Sequence, residues 1–238
     1  MKIALLGYGK MGHAIEEIAL QKGHQIVLRI TDLNLEELTN ENIKKADVAI
    51  EFTNPESAVS NILFCLENKV PVVSGTTGWV SKIKMVEEKC KQENGTFLYA
   101  SNFSIGVNIF FELNKKLASL MKPHTDYEIQ LEEIHHTQKK DAPSGTAISL
   151  AEQIIETSTE KNRWINSETN HKNELSIISK RIDEVAGTHS VKYFSEIDDI
   201  EIIHTAHNRK GFAQGAVLAA EFIADKKGIY TMKDVLGF

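Results

Sequence analysis

The chain opens with a short apolar run, Lys2–Leu6, that stops at glycine. A run of this length bounded by a turn signal predicts a buried strand. Ile15, Ile18 and Ala19 then recur at helical spacing, and Gly23 closes that helix. Residues 25–30, 46–52, 70–73 and 96–100 read as four further strands. Asn54-Pro55-Glu56 predicts a helix start: a capping side chain, proline at the first helical position and an acid in the first turn. Ala58, Ile62, Leu63 and Leu66 follow on one face, and a more polar helix covers about residues 81–92. Strands alternating with helices in this way predict a parallel, doubly wound sheet.

The pattern changes after Asn102. Residues 105–121 read as one long helix. Tyr127, Ile129 and Leu131 alternate with Glu128, Gln130 and Glu132, which predicts a strand with one solvated face. A polar stretch, residues 135–145, leads into a helix over about 146–156, and residues 157–172 read as loop. Strands are expected at 175–181, 188–194 and 201–207, then a last apolar helix at 214–224. The expected architecture is an α/β lobe, residues 1–103, completed by residues 209–238, with an α+β lobe, residues 104–208, between them.

Composition adds exclusions. With 238 residues, 42% hydrophobic and 25% charged, the chain has the make-up of a folded globular protein. A net charge of −6 argues against a general nucleic-acid binder. Cys65 and Cys90 lack metal-ligand spacing and read as free thiols in a reducing compartment. No apolar run approaches a membrane span, and the apolar start is too short for a signal peptide. A cytoplasmic location is expected, with no membrane or nucleic-acid partner.

Gly7-Tyr8-Gly9-Lys10-Met11-Gly12 fits G-x-G-x-x-G between a strand and a helix, the context that makes the motif a dinucleotide signature. Gly7 allows the turn, Gly9 lets backbone approach a pyrophosphate, and Gly12 lets helix and strand pack. The helix start that includes Lys10 and Met11 offers free N–H groups to phosphate. Asp32 ends the second strand where an acid would hold a ribose 2′-hydroxyl. Arg29, Thr31 and Lys10 could instead receive a 2′-phosphate, so NADH, NADPH or both remain open. Gly75, Thr76 and Thr77, and then Ala100, Ser101, Asn102 and Phe103, follow strands on the edge where open sheets bind ligands. Phe103 suits either a nicotinamide contact or the core.

The densest chemistry is Glu133-Ile134-His135-His136-Thr137-Gln138-Lys139-Lys140-Asp141-Ala142-Pro143-Ser144-Gly145-Thr146. Ser144 is a good helix cap, and the N–H groups of Gly145 and Thr146 beyond it suit an anion. Lysines beside such a helix start make a receptor for a carboxylate or phosphate, and histidine can move a proton near neutral pH. His135-His136 could pair on a metal, but no acid or cysteine at ligand spacing completes a set, and no metal is expected.

These segments resemble the 4-hydroxy-tetrahydrodipicolinate reductase family, formerly dihydrodipicolinate reductases, of bacterial lysine and diaminopimelate synthesis. The resemblance runs through GYGKMG, EFTNPES from Glu51, SGTTGW from Ser74, ASNFSIGVN from Ala100, EIHHTQKKDAPSGTA from Glu133 and FAQGAVLAAEF from Phe212. It implies a Rossmann-type doubly wound parallel sheet with a second α+β domain for substrate and oligomerisation, and a homotetramer. It implies hydride transfer from NAD(P)H to a small cyclic unsaturated dicarboxylate. His135 matches the catalytic proton donor or acceptor and Lys139 the catalytic proton donor. His136, Gly145 and Thr146 match substrate-binding positions; Gly75, Thr76, Thr77 and Ala100 to Phe103 match cofactor contacts. Arg209 falls in the return segment with no definite role. The glycine loop is one residue shorter than the common form, the second strand ends in RITD, and residues 157–182 are compressed. Another NAD(P)-linked dehydrogenase of similar build, or a nucleotide-sensing protein without turnover, are the competing readings.

Overall fold

A computed structural model describes residues 1–208 and 210–238. The opening run forms β1 (Lys2–Leu6), and the glycine loop leads into α1 (Lys10–Gln21) and β2 (Gln25–Ile30). Then come α2 (Asn40–Ile43), β3 (Val48–Glu51), α3 (Pro55–Glu67), β4 (Val72–Ser74), α4 (Ile83–Gln92) and β5 (Thr96–Tyr99). The long helix is α5 (Ile105–Met121), followed by β6 (Glu128–His135), α6 (Gly145–Thr157), β7 (Arg163–Ile165), β8 (Glu174–Arg181), β9 (Gly187–Phe194) and β10 (Asp199–Ala206). The chain ends with α7 (Lys210–Ile223), β11 (Gly228–Tyr230) and α8 (Met232–Leu236).

The chain divides into two compact units, one built from Met1–Ile105 with Lys210–Phe238, the other from the intervening chain. The first holds a six-stranded parallel sheet in the order β11-β5-β4-β3-β1-β2. Its central strands, β1, β3 and β4, are buried on both faces, as parallel strands under helices must be. Ala4, Leu6, Ala49, Val72 and Phe97 face Ala58, Ile62 and Leu66 of α3 and Val86 of α4. Ile3, Leu5, Val48, Ile50, Val73 and Leu98 face Ile15 and Ala19 of α1 and the alanine-rich side of α7. The order turns around between β2-β1 and β3-β4, so the loops after β1 and β3 flank a switch point on the carboxyl edge, where open α/β sheets bind ligands. Asn54 caps α3, its side chain accepting from the Ser57 amide.

The second unit holds a mixed sheet, β10-β9-β6-β8-β7. Phe110 and Ala118 of α5, and Leu150, Ala151 and Ile154 of α6, cover one face over Leu131, Leu175, Ile177, Val191 and Tyr193. The opposite face carries Glu132, Ile134, Ser190, Lys192 and Ile203, all half-buried or exposed.

Three differences from the sequence reading bear on function. The strand read at 127–132 continues to His135, because its alternation carries on through Glu133 and His135. The loop read at 157–172 contains β7, and β11 closes one edge of the parallel sheet. Both are three-residue strands, too short to show alternation. The last apolar helix begins four residues earlier than read, at Lys210.

Candidate active site

In the first unit the glycine loop has the shape its sequence requires. Gly7 has φ +93°, and a Cβ there would lie 2.0 Å from the Phe52 carbonyl oxygen at the end of β3. A Cβ on Gly12 would lie 2.5 Å from the Gly7 carbonyl oxygen. Gly9 is different: nothing stands within 4 Å of the Cβ it lacks. Gly9 caps α1 with no side-chain hydrogen bond, and the first turn carries no acid. An open cradle over an uncapped helix start fits a pyrophosphate. Lys10 is exposed and Met11 half-buried at that start.

Asp32 is exposed just beyond β2. Arg29 is less available than its position suggests. Its Nε donates to Glu16 at 3.2 Å and its Nη2 pairs with the same carboxylate, which Tyr8 of the loop also meets through its hydroxyl. The Arg29 guanidinium lowers the Glu16 pKa. A 2′-phosphate would compete with Glu16 for Arg29.

The 75–78 loop is fixed from beneath. A Cβ on Gly75 would strike the Phe52 ring at 2.1 Å, so only glycine fits. Thr76 is buried and bonded to Glu51, while Thr77 is exposed. Ala100 and Asn102 are half-buried and Ser101 exposed. The Asn102 side chain accepts from the Ser104 amide at 2.9 Å. Phe103 is 2% exposed and packs with Phe52 and α7, so its side chain belongs to the core. The two roles open for this residue thus resolve towards packing, leaving only its backbone for a ligand.

In the second unit, β6 runs Leu131, Glu133, His135 along its inward face, so apolar packing gives way to chemistry at the strand's carboxyl end. The register sets Glu133 opposite His189 of β9 and beside Ser179 of β8. Glu133 is fully buried and accepts from the Ser144 amide at 3.0 Å, from Ser179 Oγ at 2.7 Å and from Arg181 Nη2 at 3.3 Å. His135 Nδ1 lies 3.4 Å from the same carboxylate. Ser144 Oγ meets His189 Nε2 at 3.0 Å and accepts from the Ala147 amide at 3.2 Å. Burial pushes the His189 pKa down to about 4, and burial also lowers that of His135 against the pull of Glu133. Burial raises the pKa of Glu133, but its hydrogen bonds from Ser144 and Ser179 outweigh that and hold it below its ordinary value. At neutral pH the group is therefore a carboxylate beside two neutral imidazoles.

Ser144, expected at the substrate site with His136, Gly145 and Thr146, is buried, caps α6 and meets His189. Gly145 beyond it is exposed with open space around its missing Cβ, and Thr146 is half-exposed. His136 is half-buried. Lys139 Nζ is held by both Asp141 oxygens at 2.8 and 2.7 Å. Arg181 bridges Glu133 and the Asp141 carbonyl, the latter at 2.6 Å. Sequence reasoning missed Glu133, His189, Arg181 and Asp141 as functional neighbours. Alternation was the usable signal for the first two: Glu133 is in phase with Leu131, and His189 with Val191 and Tyr193. Arg209 lies outside the described residues.

Glu133, His135 and His189 form a group whose ligand atoms lie within 4.8 Å of one another, a donor set suited to a metal. The acid is Glu133, two residues before His135 and on the same strand face, and the second histidine comes from β9 rather than being His136. Arg181 and two serines already engage the carboxylate, and the Lys139 and Arg181 cations oppose a further positive charge. The arrangement is better suited to moving a proton.

A parallel sheet with an open glycine cradle at its switch point defines a nicotinamide-dinucleotide oxidoreductase fold, here joined to a second unit built on a mixed sheet. Residues 1–103 match the family described as "Dihydrodipicolinate reductase, N-terminus", and residues 106–236 "Dihydrodipicolinate reductase, C-terminus". The chain is 52% identical over 99% of its length to 98% of a 4-hydroxy-tetrahydrodipicolinate reductase of Christiangramia forsetii. It is 34% identical over 96% of its length to 95% of the enzyme of that name from Alkaliphilus oremlandii. Among solved structures it resembles a dipicolinate-bound dihydrodipicolinate reductase from Paenisporosarcina, with TM-score 0.76, 24% identity and 97% of each chain covered. The chain belongs to the dihydrodipicolinate reductase family.

Proposed function

We propose that this chain reduces 4-hydroxy-tetrahydrodipicolinate, via dihydrodipicolinate, to tetrahydrodipicolinate, in lysine and diaminopimelate synthesis. The observation that carries the reading is the His135–Lys139–α6 cluster on a chain whose two units both match the family. The cofactor supplies a hydride when bound. The open cradle at Gly9 would hold its pyrophosphate, and the exposed Thr77 and Ser101 would contact the rest of it. In the second unit the α6 start at Gly145 and Thr146 receives one substrate carboxylate through backbone N–H groups that lose no side-chain entropy. Lys139 and His136 receive the other. Hydride addition leaves negative charge on the ring, which Lys139 neutralises with a proton. Asp141 holds Lys139 in place until substrate replaces it. His135, held against Glu133, is the second proton donor or acceptor of the site.

Both NADH and NADPH serve, with less than a tenfold preference. Asp32 favours a free 2′-hydroxyl, while Lys10 and a released Arg29 admit a 2′-phosphate; exposed contacts of this kind are worth about 1 kcal/mol or less. The working form is a homotetramer in the cytoplasm, built on the sheet face that carries Ile203. No helix among the described residues is long and apolar enough to cross a membrane, and Cys65 and Cys90 are buried free thiols.

Following absorbance at 340 nm with freshly generated substrate tests the reading. Oxidation of NADH or NADPH only when substrate is present is expected. Cofactor binding without turnover would identify a nucleotide sensor instead.

A further inference from the structure

Glu51 ends β3 and is fully buried. Its Oε1 accepts from the Thr53 amide at 3.0 Å, from Thr76 Oγ1 at 2.7 Å and from the Thr53 hydroxyl; Oε2 accepts from Ser74 Oγ at 2.6 Å. Thr76 Oγ1 also receives the Thr53 amide at 2.8 Å, which leaves its own proton for the carboxylate. Four groups able to donate, the Thr53 amide and the Thr53, Ser74 and Thr76 hydroxyls, thus surround Glu51, a setting that suits a carboxylate. No lysine, arginine or histidine among the described residues lies within ion-pair distance of it.

A buried charge without a counter-charge is costly, and hydrogen bonds from neutral groups compensate only in part. Glu51 pairs with Leu6 before the glycine loop and with Ser74 before Gly75, so it sits on the carboxyl edge between the two loops read as cofactor contacts. We propose that the Glu51 carboxylate is the fixed counter-charge for the oxidised, cationic nicotinamide, and that it favours hydride donation by stabilising the charge that donation creates. The inference rests on the reading of this edge as the nicotinamide site. Reduced nicotinamide is neutral and gains nothing from Glu51; the pyridinium left after hydride loss does. The carboxylate also ties Thr53, Ser74 and Thr76 together, but that role affects both cofactor forms alike.

The two roles separate in binding. Dissociation constants for NAD⁺ and NADH are measured by calorimetry on wild type, Glu51→Gln and Glu51→Asp, without substrate. Glutamine is neutral and its amide can be received if the Ser74 hydroxyl turns round. In Glu51→Gln, NAD⁺ is expected to weaken about fivefold or more relative to NADH, because only the oxidised ring carries the charge that the carboxylate stabilises. In Glu51→Asp, which keeps the charge, the NAD⁺/NADH ratio should stay within about twofold of wild type even where both affinities fall. Equal weakening of both forms in Glu51→Gln overturns the proposal and leaves Glu51 as a strut. Failure of either nucleotide to bind wild type overturns the cofactor reading itself. Should Glu51→Gln not fold, the double variant with Ser74→Ala removes the hydroxyl that must turn round and allows the same comparison.

Discussion

On the proposed reading, the single side chain of Lys139 carries both binding and chemistry. It is an ammonium on a turn, braced by Asp141, in the unit that lacks the dinucleotide cradle. Lys139→Ala should lower kcat/KM about 10²–10⁴-fold, the cost of losing a positioned acid, with NADH affinity nearly unchanged. Lys140→Ala should do much less; equal effects of the two lysines would show that only net charge matters. Glu133 and His189 act on stability as well. The His189 pKa is near 4 in the fold against about 6.5 in the unfolded chain. Between those values the unfolded chain binds more protons, so stability rises with pH across the window and is lost on acidification from about 6.5 towards 4. Glu133, held below its ordinary value, loses its contribution at still lower pH. Urea midpoints at pH 7 and 4.5 should show the effect. His189→Gln, which can still meet Ser144, should remove about 2–3 kcal/mol of the pH-dependent loss. An unchanged slope would mean that His189 is not held neutral.

At the scale of elements, the start of α6 is the feature most open to a direct test. Gly145 has no neighbour within 4 Å of its missing Cβ. Gly145→Val therefore leaves the free protein undisturbed and obstructs only a ligand approaching the backbone. KM for the dicarboxylate should rise strongly while NADH binding survives, and Thr146→Val should cost about 1–3 kcal/mol in substrate binding if its hydroxyl bond is desolvated. Pyridine-2,6-dicarboxylate, titrated by calorimetry into cofactor-loaded protein, should bind wild type and fail on Gly145→Val; equal binding would move the carboxylate elsewhere. This helix start was legible in sequence because Pro143-Ser144-Gly145 is local punctuation, as was the glycine loop. The partners behind it were not. Glu133 reaches Ser144 across eleven positions and His189 across forty-five, and only the pairing of β6 with β9 brings them together. Local pattern fixes which face a strand residue takes, but not which strand lies beside it. Phe103 could be read either way for a related reason: its motif suits a ligand contact or the core, and only the packing against Phe52 shows its ring buried.

At the scale of the molecule, the second sheet has helices on one face and Ile203, 59% exposed, on the other. If that face joins copies of the chain, Ile203→Lys should shift the mass measured by light scattering from tetramer towards smaller species while NADH binding to each chain persists. A wild-type monomer at micromolar concentration would rule the assembly out. The route of the chain has a consequence for biosynthesis. One side of the parallel sheet is covered by α7, whose Gly215 lies so close to Phe103 that a Cβ would sit 1.7 Å from its carbonyl oxygen. That cover leaves the ribosome only after the whole second unit. Until then Ile3, Leu5, Val48, Ile50, Val73 and Leu98 lack part of their apolar partner surface. The second unit is continuous in sequence and can fold as it emerges, whereas the nucleotide-binding unit, begun first, is finished last. During that interval the nascent chain exposes apolar strands of the kind that chaperones bind and that aggregate when left uncovered.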